Sequence, residues 1–268
     1  MSEQTATFWE HLEVLRWTIM RSLVVVVAFA VVAFCMKEWL FAVVLAPTTS
    51  QFITFRLMGS PEFSIHLINT GLTEQFMTHM RTSAYAGLLC ASPYVLYQLF
   101  HFVSPGLYQR ERHVACRIVG AAYLMFILGT LVCYFIIFPL TVRFLGTYQV
   151  STDIDNMLTL QSYIDTLISM CLVIGVVFEL PVVSSILGKM GLITGSLMRH
   201  YRRHAVVVIL VVAAIITPTT DIFTLLVVSL PIWMLYEVSI WLVPNKPHAN
   251  PSETTGTTLH TEEEPTNI

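Results

Sequence analysis

The sequence predicts an all-α membrane protein, and three observations support this. Hydrophobic residues make up 55% of the 268 positions and charged residues only 12%, whereas soluble domains are about one-quarter charged. The mean hydropathy, +0.71, is correspondingly high. Several apolar segments reach about 20 residues, the length of a helix that crosses a ~30 Å hydrocarbon core. We therefore predict a membrane domain over residues 1–244 with six transmembrane helices, followed by a disordered acidic tail over residues 245–268.

The first three predicted spans are long and almost free of charge. The first covers Trp17 to Met36, and Arg21 near its start can extend toward the membrane surface. Aspartate, glutamate, lysine and arginine are absent from the second, Ala84 to Val103, and from the third, Ile118 to Val142.

The last three predicted spans are less regular. The fourth runs from about Thr166 to Leu187. The fifth, Ala205 to Ile216, has only twelve apolar residues, about 18 Å of helix, so it is either re-entrant or half of a tight hairpin. The turn from Thr217 to Asp221 favours the hairpin. The sixth, Ile222 to Val243, has the length to cross, although we expect the fifth and sixth spans to form a short pair.

Basic residues lie mainly on one side of the predicted spans. With six spans, the termini share a side with residues 104–117 and 188–204, and that side carries ten of the fourteen lysines and arginines. The positive-inside rule assigns such a side to the cytoplasm. We therefore predict that both termini are cytoplasmic.

One predicted outer loop is unusually apolar. About 45 residues separate the first two spans, and they include Phe52, Ile53, Phe55 and Ile65. So much apolar surface is expected to pack on the protein or on the bilayer.

Nothing in the sequence indicates catalysis or a cofactor. The five cysteines lie in or beside apolar segments without paired spacings, and we expect them to be packing residues. The histidines form no pair placed for haem, and no phosphate-binding loop, metal-spaced cluster or nucleophile triad occurs. We expect no enzymatic activity, no metal or other cofactor, and no nucleic-acid partner.

An acidic residue stands inside the fourth predicted span. A carboxylate at mid-bilayer costs at least a few kcal/mol, so Glu179 is expected to face protein or water and to have a function. The alternative is a protonated glutamate that only stabilises the helix packing. Pro181 follows and is expected to kink the helix. Asp165 and Glu237 lie nearer span ends, where a structural role is favoured.

The loop after the second span carries unusual chemistry for a hairpin tip. It contains an acid between two arginines, Glu111, close to aromatic residues and a Pro-Gly turn. A carboxylate can bind a guanidinium through two hydrogen bonds, and an aromatic ring can stack on it. The alternative is a solvated tip with ordinary cytoplasmic charge. The N-terminal helix adds further acids on the same side, Glu10 and Glu13.

At this point the chain resembles the TatC family, the multispanning receptor of the twin-arginine protein translocase, over roughly residues 8 to 243. The ordered motifs that carry the resemblance are His11-Leu12-x-x-Leu15-Arg16, Ala46-Pro47, Ser92-Pro93-Tyr94, Phe102-Val103-Ser104-Pro105-Gly106-Leu107-Tyr108-x-x-Glu111-Arg112, Phe178-Glu179-Leu180-Pro181, Thr217-Pro218 with Asp221, Leu230-Pro231 and Tyr236-Glu237.

The resemblance implies binding of Arg-Arg signal peptides on folded cargo and export driven by the proton-motive force. It implies single-span partners of the TatA and TatB type, self-association in a receptor complex, and a bacterial inner-membrane location. The residues that match the family's signal-peptide motifs are Arg16, Phe102, Pro105, Tyr108 and Glu111. The residues that match its intramembrane or partner-contact positions are Glu179, Thr217, Pro218 and Asp221.

Two positions depart from the family pattern. The family motif has glutamate at the position of Val14, whereas here Glu13 stands one residue earlier and Glu10 one helical turn earlier. Either acid is a candidate substitute. Leu225 stands where many members have glutamine, so any partner contact made by that amide is missing here.

Two other functional classes are open to a chain of this composition. A proton-coupled secondary transporter could use Glu179 and Glu237 as proton sites, but no internal repeat supports it. A scaffold subunit of a respiratory complex would be expected to have paired membrane histidines, which are absent from the sequence.

Overall fold

A computed structural model describes residues 2–57, 65–103, 112–147, 157–217 and 221–244. The predicted tail lies outside the described residues. The described chain is almost entirely helical, with helices α1 Ser2–Cys35, α2 Lys37–Leu45, α3 Ile53–Leu57, α4 Glu74–Val103, α5 Arg112–Val132, α6 Phe138–Thr147, α7 Leu160–Val177, α8 Leu180–Lys189, α9 Gly195–His200, α10 Arg202–Ile216 and α11 Ile222–Leu242, and with strands β1 Leu67–Ile68 and β2 Leu158–Thr159.

Each predicted span lies largely within helical structure. Four described helical segments are long and apolar enough to cross a membrane: Leu12–Cys35, Arg117–Thr147, Leu160–Lys189 and Ile222–Leu242. The expectation of a short sixth span is therefore wrong, because α11 has 21 residues, about 31 Å of helix. The fifth predicted span corresponds to α10, which has only 15 residues. The count of six spans stays a prediction.

The first and second predicted spans pack against each other in opposite directions. Near the end of α1, Phe34 stacks on His79 at the start of α4, with ring centroids 4.1 Å apart. Further along, Ala30 meets Gly87. A Cβ atom on residue 87 would lie 2.5 Å from the backbone nitrogen of Ala30, so only glycine permits this crossing. Small residues commonly permit such close contacts between membrane helices.

Helix α7 lies at the centre of the core. Its buried side chains recur at helical spacing and contact residues from the third, fifth and sixth predicted spans. The contacting residues include Phe138 of α6, Ala213 of α10 and Ile232 of α11, each nearly inaccessible to solvent. By contrast, the most apolar part of α1 has no buried residue. Helix α1 is therefore a peripheral helix, whereas one side of α7 is buried in the core.

A π-helical turn, Cys133–Ile137, joins α5 to α6. Residues of the outer loop pack against this turn. Such turns release backbone carbonyls from the regular helical hydrogen bonds, and here the Phe135 carbonyl accepts a hydrogen bond from the Thr54 hydroxyl. Phe52 stacks on the Phe135 ring, and Phe55 is 1% exposed. The predicted packing of this loop on the protein is confirmed for these two phenylalanines but not for Ile53, which is exposed.

A buried carboxylate fastens the outer segments to each other. Glu74, at the start of α4, accepts backbone N–H bonds from Thr70 and Gly71, each 2.9 Å long, and from Gln161 of α7 at 3.0 Å. The three backbone donors lower the pKa of the Glu74 carboxyl, with the bond from Gln161 contributing most. Next to this site, β1 and β2 form a short parallel ladder, which the sequence did not predict.

The opposite end of the molecule is held by contacts around α9–α11. Arg202 pairs with Glu237 at 2.6 Å, and the Tyr236 hydroxyl donates to the Met198 carbonyl at 2.9 Å. Helix α8 ends at Lys189, and Gly191, two residues later, has a positive φ of 75° that suits glycine.

Candidate functional site

The predicted signal-peptide loop lies mostly outside the described residues, and this includes Pro105, Tyr108 and Glu111. The backbone of Phe102 belongs to the last turn of α4, which ends at Val103, and α5 begins at Arg112. The loop therefore connects two described helix ends.

The N-terminal part of α1 comes level with the end of α4. Because both helices rise equally per residue and run in opposite directions, a step of 16 residues from the Ala30–Gly87 contact leads to Val14 and Val103 (30 − 16 = 14; 87 + 16 = 103). By this count, the predicted N-terminal site residues lie at about the height of the last turn of α4.

The side chains at this end of α1 are open to the surroundings. Glu13 and Arg16 are exposed, and Val14, the position that lacks the family glutamate, is 54% exposed. The backbone of Glu10 lies in the same helix. The structure therefore describes Glu13 as an accessible acid one residue before Val14.

The intramembrane acid Glu179 lies at a break between α7 and α8. Pro181 occupies the first turn of α8. As it has no N–H to continue the helical bonding, the chain tightens at Phe178 and Glu179. The Glu179 N–H donates to the Val176 carbonyl at 3.0 Å, and its carbonyl accepts from Val183 at 2.9 Å. The predicted kink at Pro181 is confirmed in this form.

The Glu179 carboxyl group is buried without a hydrogen-bond partner. The residue is 9% exposed, and neither carboxyl oxygen is bonded to any group in the described part of the chain. Leaving a buried polar group unbonded costs about 1–3 kcal/mol, and more when it is charged. This group is therefore suited to a partner that the chain itself does not supply.

A cavity of about 600 Å³ lies beside Glu179, which is one of the residues in its wall. We call it the Glu179 cavity; its walls come from α4, α5, α7 and α8 and are almost wholly aliphatic, including Leu96 and Val176. The other polar residue in the wall, Ser92, already donates to the Leu89 carbonyl at 2.7 Å. The sequence indicated the acid but not the cavity, because the cavity depends on how four helices come together.

Close packing holds the turn that carries Glu179. A Cβ atom on Gly129 of α5 would lie 2.6 Å from Cγ of the Phe178 ring. The ring thus occupies the space that a side chain at position 129 would fill, and this fixes the residue directly before Glu179.

The predicted partner-contact residues near the last turn have local roles in the structure. The Asp221 carboxylate caps α11 by accepting the Thr224 N–H at 2.7 Å. Thr217 is buried, and Pro218 lies outside the described residues. Leu225, which replaces the frequent glutamine, packs against the core.

The two acids near span ends, Asp165 and Glu237, each form an ion pair, which agrees with the structural role favoured for them. Asp165 binds Arg81 through both carboxylate oxygens, each 2.8 Å from the same guanidinium nitrogen. Glu237 pairs with Arg202. Glu237 thus has a basic partner, which weakens its candidacy as a proton site.

Comparisons with known proteins agree on one family. The profile of the family "Sec-independent protein translocase protein (TatC)" matches residues 10–231. A protein of that name from Desulforapulum autotrophicum is 34% identical over 238 residues, which cover 89% of this chain and 84% of the relative. Another, from Carboxydothermus hydrogenoformans, is 32% identical over 243 residues, which cover 90% and 94%.

Solved structures also match the fold. A crystal structure of a twin arginine translocase receptor, TatC, superposes with a TM-score of 0.74 at 29% identity and covers 88% of this chain and 99% of the solved chain. A second crystal structure of such a receptor gives a TM-score of 0.72. The chain belongs to the TatC family and is a component of a Sec-independent protein translocase.

Proposed function

We propose that this protein is the receptor of its translocase for Arg-Arg signal peptides. It binds them at the cytoplasmic face, has six spans with both termini in the cytoplasm, and works with TatA- and TatB-type single-span partners. Export of folded cargo uses the proton-motive force. The solved structures of similar fold bear the name twin arginine translocase receptor, which supports this assignment.

The antiparallel packing of α1 and α4 is the observation that carries the proposal. It brings the acidic start of α1 level with Val103, where the loop with Glu111 begins. Two acidic elements at one membrane surface suit a peptide with two adjacent guanidinium groups, because each carboxylate can accept two parallel N–H bonds. Phe102, Pro105 and Tyr108 would line the same peptide.

Glu179 is proposed to contact a partner helix. Its carboxyl group is unbonded within the described chain, and the residue lies in the wall of an apolar cavity. A single-span helix carrying one polar side chain would fill the cavity with its apolar surface and bond the carboxyl group. Thr217, Pro218 and Asp221 would contribute to the same partner-binding side through the α10–α11 hairpin.

Peptide binding to the purified protein tests the receptor proposal. A labelled Arg-Arg signal peptide should bind tightly, and a Lys-Lys peptide should bind more weakly, because an ammonium group cannot form the paired bonds of a guanidinium. Glu111→Gln should weaken Arg-Arg binding by about tenfold to a hundredfold, since hydrogen bonds to charged groups contribute about 1.5–3 kcal/mol.

The variants Glu13→Gln and Glu10→Gln identify the N-terminal acid that takes the place of the one absent at Val14. Glu38→Gln changes an exposed acid in the first turn of α2, just beyond the opposite end of α1; it is the matched control and should bind like wild type. Equal binding of the two peptides, unchanged by Glu111→Gln, would overturn the proposal.

A further inference from the structure

A second cavity lies nearer the N-terminal end of α4. Its volume is about 550 Å³, and its walls come from the end of α1, α2, α4, the π-helical turn and α7. We call it the outer cavity. Met36, Ala86 and Leu131 lie in different parts of its wall, and Leu167 and Cys171 line it from the core helix.

The hydroxyl groups in this wall are almost all bonded already. Thr82 donates to the Thr78 carbonyl at 2.7 Å and Thr130 to the Phe126 carbonyl at 3.1 Å. Tyr134 donates to the Val43 carbonyl at 2.5 Å. The Tyr85 hydroxyl is buried without a hydrogen-bond partner in the described chain. The space is therefore apolar, with one hydroxyl available in its wall.

Water is a poor occupant of such a space, because a buried water molecule needs about two to four polar partners. An empty space of this volume is also unfavourable, since the atoms that line it lose their dispersion contacts on one side. The outer cavity therefore requires an apolar occupant.

The mouth of the outer cavity faces the surroundings of two membrane-spanning helices. Val32 of α1 and Leu131 of α5 are exposed at this opening, and both belong to candidate spans. Trp39 is 74% exposed there, and tryptophan concentrates at membrane interfaces. Lys37, next to the wall residue Met36, is exposed as well and can pair with a phosphate at the same level.

We propose that the outer cavity binds one acyl chain of a bilayer phospholipid, which enters past Trp39 and reaches α7. With the predicted orientation of the chain, the lipid belongs to the outer leaflet. The ligand is a structural lipid that fills the space between the peripheral helix α1 and the core. Its binding does not depend on signal peptides or on single-span partners.

Photolabelling tests this proposal. The purified protein is placed in nanodiscs of phosphatidylethanolamine and phosphatidylglycerol that contain a phospholipid with a photoreactive acyl chain, without any partner protein. Cys171 is 2% exposed and Leu167 is 4% exposed, so lipid at the protein surface does not reach them. Labelling of these two residues, located by fragmentation in a mass spectrometer, is the expected result.

Two phenylalanine variants on α4 provide the control. Ala86→Phe places a ring in the outer cavity and should abolish labelling of Leu167 and Cys171. Ala84→Phe is on an exposed position of the same helix and should leave the labelling at the wild-type level. Ala33→Phe fills the cavity from α1 and replaces Ala86→Phe if that variant does not fold.

Absence of label from Leu167 and Cys171 in the wild-type protein would overturn the proposal. Equal labelling of these residues in wild type and in a folded cavity-filling variant would overturn it as well.

Discussion

The two cavities along α4 are nearly equal in volume and are both lined almost wholly by apolar groups, but they differ in the polar group that is buried beside each. Beside the Glu179 cavity, about 600 Å³, lies a carboxyl group without a hydrogen-bond partner in the described chain, whereas beside the outer cavity, about 550 Å³, lies a single such hydroxyl. An apolar space in a membrane is filled adequately by lipid. A space with an unbonded acid is filled adequately only by something that brings a polar group with it, and this difference separates a structural cavity from a site for a protein partner.

The two cavities also differ in how their walls are fastened. Beside the outer cavity, α4 and α7 are joined by the Arg81–Asp165 pair and by the bond from Gln161 to Glu74. At the Glu179 cavity, the break before Pro181 divides α7 from α8. The polar contacts between α4 and α7 named above thus lie at the outer end of this helix pair.

The largest effect is expected from replacing the unbonded acid. Glu179→Leu should reduce export of a folded Arg-Arg cargo to near background, because the partner helix loses its polar contact. The same change should raise the stability of the isolated protein by about 1–3 kcal/mol, since it removes a buried unbonded group. Export in cells and thermal unfolding of the purified protein measure the two effects.

Glu237→Gln is the comparison for that experiment, because Glu237 lies in a membrane helix but has Arg202 as its partner. It should leave export close to wild type. Wild-type export with Glu179→Leu would refute a functional role for this acid.

A smaller effect is expected from crowding the turn before Glu179. Gly129→Ala forces a Cβ atom against the Phe178 ring, and overpacking of this kind costs about 1–3 kcal/mol. Gly120→Ala on the same helix meets nothing within 4 Å and should stabilise the protein by up to about 1 kcal/mol, because alanine favours helix. Thermal unfolding distinguishes them, and an equal response would contradict the described packing.

The carboxylate of Glu74 should make the outer end sensitive to acid. Its folded pKa lies below the ordinary value of 4.5 because backbone N–H groups bond the charged form. The stabilisation is therefore fully present above pH 4.5 and is lost as the pH falls through the folded pKa. The protection of the Thr70, Gly71 and Gln161 amides against hydrogen exchange, relative to an unfolded chain at the same pH, should fall over that range.

Glu74→Gln should remove this pH dependence, whereas Glu38→Gln, on an exposed acid, should preserve it. Protection factors at these three positions that do not change with pH in the wild-type protein would show that the carboxylate does not hold the outer end together.

The smallest effect is expected from the ion pair beside the outer cavity. Arg81 and Asp165 are both substantially exposed, and exposed pairs contribute about 0–1 kcal/mol. Arg81→Ala should therefore lower the unfolding temperature slightly and leave lipid labelling of Cys171 unchanged. Loss of that label would mean that the pair positions the cavity wall rather than merely bordering it.

Features of the structure that depend on neighbouring residues could be predicted from the sequence, whereas features that depend on residues far apart in the chain could not. Long apolar segments predict spans such as Trp17–Met36 because hydropathy is a local property. The break at Pro181 was likewise predictable, because the missing N–H belongs to one residue. The sixth span was wrongly expected to be short, although a helix of 21 predominantly apolar residues suffices to cross a membrane.

Contacts between distant segments were not predictable in the same way. The bond from Gln161 to Glu74 joins residues 87 positions apart, and nothing in either local sequence signals it. Each cavity is formed by residues of four or more helices. The leucines and alanines that line it look like ordinary membrane-helix residues in the sequence, so the sequence does not predict a cavity. Glu111 is the reverse case, since its motif is evident in the sequence whereas its loop lies outside the described residues.

Photo-cross-linking from one position in each cavity tests the difference between them most directly. A photoreactive residue replaces Leu96 in the Glu179 cavity or Leu40 in the outer cavity, in membranes that contain single-span partners and Arg-Arg cargo. We predict a protein adduct from position 96 that disappears in Glu179→Leu, and only lipid adducts from position 40. Protein adducts from position 40, with none from position 96, would contradict this division between partner and lipid.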